Sequence, residues 1–112
     1  MIARTWHGRV PAHRADEYFR FLERTGLADY RATPGNLGVT VLRTIEGDVA
    51  HFRLISFWES YDAIRRFAGE ELERAHYYPE DDDFLLEKEE RVTHEEVLVV
   101  AINDRPVSPR VP

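Results

Sequence analysis

Apolar and polar positions recur along this chain with two periods, and the changes of period mark out its elements. Ile2, Trp6 and Val10 stand among polar neighbours, and Pro11 closes the stretch, so Ile2 to Val10 reads as a strand running into a helix start. From Ala12 onward Ala15, Tyr18, Phe19 and Leu22 recur at helical spacing and share one face, while Arg14, Glu17, Arg20 and Arg24 lie elsewhere. Gly26 is placed to end that helix as a left-handed cap, Leu27 to Tyr30 adds a further turn, and Pro34-Gly35-Asn36 breaks the chain.

Val39, Val41 and Ile45 alternate with Thr40, Leu42 and Thr44, and Val49 to Trp58 is a second β-rich run. Glu46-Gly47-Asp48 between them predicts a hairpin turn. Ser60 is an N-cap for a second helix with Asp62 in its first turn and Tyr61, Ile64, Phe67 and Ala68 on one face. Gly69 interrupts it, Glu70 to His76 resumes it with Leu72 and Ala75 inward, and Pro79 ends it. An acidic segment follows, anchored by Phe84, Leu85 and Leu86, and Val97 to Ile102 predicts the closing strand. Asn103 to Pro112 holds three prolines and reads as a loose tail.

The order β-α-β-β-α-β is that of an α+β, ferredoxin-like domain over residues 1–102. Its four antiparallel strands should lie in the spatial order 4-1-3-2 with the helices on one face. Phe52, Leu54, Ile55, Phe57 and Trp58 put large apolar groups on both faces of one strand, so the face away from the helices also needs a cover. A second copy of the chain, related by a two-fold axis, is the simplest one.

Composition narrows the chemistry. The 112 residues suit one domain, and 43% hydrophobic residues supply a core. No cysteine is present, which excludes disulfides, thiolate metal sites and a catalytic thiol. A net charge of −6, with scattered basic residues, opposes nucleic acid as a partner. No apolar run is long enough to span a membrane and the first residues lack a signal-peptide layout, so a soluble, cytoplasmic protein is expected. Twelve carboxylates lie between Glu70 and Glu96 against Arg74, Lys88 and Arg91, which reads as a solvated face. Asp81-Asp82-Asp83 lacks the glycine and alternate spacing of a calcium loop. No glycine-rich phosphate cradle and no glycine-flanked serine elbow occurs.

Phe57-Trp58-Glu59-Ser60 at a strand-to-helix junction, then Ala63 and Phe67, then Ala75 before Tyr77-Tyr78-Pro79, an acidic segment and a last strand resembles the antibiotic biosynthesis monooxygenase family of dimeric α+β barrels. The resemblance implies that fold and a homodimer. It also implies a range of activities: cofactor-free oxidation of phenolic polyketides, quinol oxidation and haem degradation. In such domains a pocket lies between sheet and helices, and a tryptophan at the place of Trp58 lines it. The expected walls are Trp58, Tyr61, Phe67 and Tyr77, with Arg53 as an anion anchor and His51 or His76 as the base that deprotonates a small aromatic substrate. No cofactor is expected on this reading. Two alternatives stand beside it: a haem-binding protein with His76 as a helix-borne ligand, and a non-catalytic dimer that binds a small apolar molecule. His7, His51 and His94 fall in or beside strands, where register decides between a metal site and a hydrogen-bonded network.

Overall fold

The computed structural model describes residues 1–103. Strand β1 (Ile2–Pro11) leads through a short 3-10 turn into helix α1 (Ala15–Arg24) and helix α2 (Gly26–Ala32). Strands β2 (Asn36–Glu46) and β3 (Val49–Trp58) form the hairpin, helix α3 (Tyr61–Ala68) follows, and β4 (Thr93–Glu96) completes the sheet. The spatial order is β2-β3-β1-β4, every pairing antiparallel, as expected from the sequence. Gly47, at φ 60°, takes the left-handed turn between β2 and β3 that a side chain would resist.

The two-residue period of β1 and β3 sorts the sheet into two faces. Arg4, Trp6, Gly8 and Val10 pair with Ser56, Leu54, Phe52 and Ala50 and are buried under the helices. Ala3, Thr5, His7 and Arg9 pair with Phe57, Ile55, Arg53 and His51 on the outer face, where Thr40 and Leu42 join them from β2. On α1 the buried set is Ala15, Tyr18, Phe21 and Leu22, with Phe19 half out in solvent. By helical spacing Phe19 lies nearer than Phe21 to the stripe of Ala15, Tyr18 and Leu22. Phe21 wins because its ring meets Phe84 and Tyr78, which arrive from distant sequence.

Three expected elements take another form. Gly26 is not a left-handed cap: the chain bends at Thr25 (φ −116°, ψ −90°), and Gly26 opens α2. The helix begun at Ser60, whose hydroxyl accepts the Ala63 N–H at 3.2 Å, ends for good at Gly69 (φ 84°). Residues 70–78 run instead as irregular chain, tied to β1 where the carbonyls of Leu72 and Arg74 accept from the Arg4 guanidinium. Ala75 N–H donates to Glu90 and Val92 N–H to Glu73, stitching this segment to the approach to β4. His76 is therefore not borne on a helix.

The last strand is Thr93–Glu96 and not Val97 to Ile102. Val97 N–H donates to the Met1 carbonyl, and there β1 ends, so the apolar run beyond has no neighbour to pair with. Leu98, at 87% exposure, and Ile102 project into solvent. Asn103 is exposed, and the rest of the expected tail lies outside the described residues.

Trp58 is fully buried, packs against Tyr30 and Phe67, and donates its indole N–H to the Ser56 hydroxyl at 2.9 Å. Removing so large a filled volume creates a cavity and takes one of its hydrogen bonds from the buried Ser56 hydroxyl, which keeps its bond to the Arg4 carbonyl at 3.3 Å. Trp58→Ala should lower folding stability by about 3–5 kcal/mol, read as a drop in the urea unfolding midpoint.

Candidate functional site

Between the inner face of the sheet, the helices and the 70–78 segment lies a cleft lined by Arg4, Trp6, Phe67, His76, Tyr77 and Tyr78, with Tyr18, Phe21, Tyr30 and Asp81 deeper among its walls. It encloses about 450 Å³ out to its mouth, of which about 30 Å³ is wide enough to seat the centre of a water molecule. The cleft is thus narrow and largely filled by its own aromatic rings.

Each wall has a local cause. Trp6 reaches the cleft because Gly8 on the same face has no side chain: a Cβ there would lie 2.3 Å from the Trp6 ring. The Trp6 indole N–H donates to the Tyr77 hydroxyl at 3.1 Å, and that hydroxyl donates to the Glu89 carbonyl. Burial pushes the Tyr77 phenol above its ordinary value. Tyr78 is raised too, by burial and by its hydrogen bond to the Asp29 carboxylate. His76 stands exposed at the mouth with its ring edge-on to Phe67 and Tyr78, centroids 5.2 and 5.1 Å away.

Two charged residues line this mainly aromatic space. The Arg4 side chain donates from Nη1 to the Leu72 carbonyl at 2.5 Å and from Nη2 to the Arg74 carbonyl at 2.9 Å. Nη1 also meets His94 Nε2 at 3.1 Å. A guanidinium only donates, so that nitrogen of His94 accepts and the ring proton sits on Nδ1. Asp81, expected in a solvated acidic run, is buried. Its carboxylate accepts the Tyr78 N–H at 2.8 Å and lies 3.4 Å from the Tyr18 hydroxyl. Desolvation raises its pKa, while those two hydrogen bonds hold it down.

The residues expected to share one pocket divide among four places. Phe67, Tyr77 and His76 line the cleft. Trp58 lies behind it, separated because its ring turns into the core toward Tyr30 and Phe67. Tyr61, on the outer side of α3, faces His94 across a shallow groove with ring centroids 5.9 Å apart. Arg53 and His51 have the opposite parity from Leu54 and Phe52 and so occupy the outer face of the sheet.

On that outer face His51 stacks on His7, with Nδ1 of His51 3.0 Å from Nε2 of His7, and His7 Nδ1 reaches the Glu89 carboxylate at 2.5 Å. His94 is on the inner face, so the three strand histidines do not converge. Among the described residues no group of three or more histidine, aspartate or glutamate side chains is arranged to hold a metal ion. Nor is any helix among them long and apolar enough to cross a membrane.

Solved structures with this arrangement of sheet and helices are known. A haem degrader, MhuD from Mycobacterium tuberculosis with two haems in its active site, matches at 20% identity and a TM-score of 0.60, covering 90% of this chain and 99% of that one. A point variant of MhuD holding two manganese protoporphyrins per active site matches at 19% identity and 0.61, covering 92% and 100%. A protein from Bacillus cereus provisionally assigned as an antibiotic biosynthesis monooxygenase matches at 17% and 0.62, covering 92% and 98%. The chain has their fold. That is the fold implied by the Phe57-Trp58-Glu59-Ser60 junction, and at these identities the fold is what is shared. No family model matches the sequence, and no curated protein matches it.

Arg4 and Asp81 were missed by the sequence reading. Strict alternation with Trp6 and Val10 places Arg4 inward, a signal that its charge masks. Asp81 carries no such signal, since it turns inward through the 3-10 turn of residues 79–83.

The His94 ring gives this site a pH signature. Burial first, and the Arg4 charge second, lower its pKa below the ordinary 6.5. The unfolded chain therefore takes up this proton at higher pH than the folded one. Stability is fully present above about pH 6.5 and falls as pH drops toward the depressed folded value. In nuclear magnetic resonance titrations the His94 midpoint should lie below 6.5, and His94→Gln should flatten this part of the stability profile.

Proposed function

We propose that the chain is a cofactor-independent monooxygenase of a small phenolic or otherwise acidic aromatic, working as a homodimer. The observation that carries this reading is a cleft walled by Trp6, Phe67, Tyr77 and Tyr78 with the exposed imidazole of His76 at its mouth. Flat apolar walls suit an aromatic ring, and exclusion of water favours reaction of an electron-rich anion. His76 takes the proton from a phenol or from the acidic C–H of an anthrone. The anion passes one electron to oxygen, the radical pair joins as a carbon-bound hydroperoxide, and loss of water leaves the carbonyl. For an anthrone the balance closes without a further reductant: a ring methylene and dioxygen go in, a ring carbonyl and water come out. Because the cleft is nearly filled, a ring enters only when rim side chains such as His76 and Tyr78 swing outward.

Oxygen uptake with anthrones and dihydroxynaphthalenes, followed at an oxygen electrode, is the expected outcome. His76→Ala should reduce the rate by about 10²–10⁴-fold, the usual worth of a positioned base. No uptake across the panel sinks the reading.

Haem is the second reading, favoured by one imidazole flanked by two aromatic rings and by the porphyrins held in MhuD. It requires a Soret shift on adding haemin that is lost in His76→Ala. A spectrum unchanged from free haemin removes it.

The dimer rests on the outer face of the sheet. Ala3, Ile55, Phe57, Thr40 and Leu42 form an apolar area at one end of that face, and the exposed run from Val97 to Ile102 leaves the sheet beyond β4. Packing against the same face of a second copy removes both from water. Sedimentation at micromolar concentration should give twice the chain mass, and Phe57→Glu should halve it while circular dichroism stays native.

A further inference from the structure

We propose that Arg4 makes the cleft selective for an aromatic ligand that carries an anionic oxygen, a carboxylate or a phenolate on the ring. The inference rests on the reading of this cleft as an aromatic site and names the class of molecule it takes.

Arg4 is 2% exposed and yet lines the cleft. Its hydrogen bonds go to two main-chain carbonyls and one neutral imidazole, and among the described residues no carboxylate forms an ion pair with it. Burial works against its charge, and Tyr30 and then Glu73 lie close enough to favour it, neither as an ion pair. A buried cation without a counter-charge is costly, and folds ordinarily pair it. Tethering the 70–78 segment explains the bonds to Leu72 and Arg74. It does not explain why a permanent charge performs that task beside an apolar cleft, or why the counter-charge is missing.

An incoming anion would supply it. The guanidinium also lies 6.0 Å from the centre of the Phe67 ring, so the aromatic wall and the cation adjoin. Asp81, the carboxylate that lines the same cleft, is held by Tyr78 and Tyr18, which share no hydrogen bond with Arg4. The two charges are held by separate partners, and the anionic end of a ligand belongs with Arg4.

The test compares 1-naphthoate with the near-isosteric neutral 1-naphthamide by isothermal titration calorimetry on the full chain at neutral pH. Charge-assisted hydrogen bonding to a desolvated guanidinium should favour the acid by about tenfold or more. Arg4→Lys should keep part of that preference and Arg4→Gln should abolish it, with thermal melts confirming that each variant folds. The comparison on the unaltered protein decides the matter even where a variant does not fold. Equal or tighter binding of the amide, or no binding of the acid at millimolar concentration, overturns the proposal. Oxygen uptake is scored separately: uptake without acid preference leaves the oxygenase and removes this selectivity, and acid preference without uptake does the reverse.

Discussion

One guanidinium, buried between the sheet and a stretch of chain with no regular structure, sets the form of this molecule's inner side. The helix ends at Gly69, and Arg4 donates to the carbonyls of Leu72 and Arg74 at 2.5 and 2.9 Å, which holds the chain that follows across the end of β1. Everything that walls the cleft on that side follows from the placement. Leu72 and Ala75 turn inward, Tyr77 comes within reach of the Trp6 indole, Tyr78 meets Phe21, and His76 is left at the rim. Arginine reaches the two carbonyls from two nitrogens of its planar fork, whereas a glutamine would have to serve both from one.

The first three strands, the hairpin, the Ser60 cap and the sheet order were legible because they depend on local periods and on turn residues that report their own backbone angles. Two of the three elements that take another form depend on distant partners. Glu70 to His76 has the composition of a helix, and Val97 to Ile102 that of a strand, but propensity is a weak prior that tertiary bonding overrides. In the first, the segment after Gly69 bonds to Arg4 and to the approach to β4. In the second, the neighbouring strand has run out at Met1.

The site was less legible than the fold, for a related reason. Aromatic residues announce burial without saying whether they fill a core or wall a space, so Trp58 and Phe67 looked alike in sequence. Charged residues announce solvent, so Asp81 reads as part of a solvated face and nothing singles out Arg4. Parity along β3 alone separates His51 and Arg53 from the cleft, and a single step of register would have exchanged them with Phe52 and Leu54.

The alternation that hides Arg4 among exposed neighbours also gives the sheet an unusual economy of thickness. Ala3 and Thr5, whose side chains point to the outer face, are the residues on either side of Arg4, whose guanidinium belongs to the cleft. Any molecule held in the cleft and any copy pressed against the outer face would therefore be divided by a single ply of backbone. Within those three residues of β1 the floor of one chamber is the outside wall of the other.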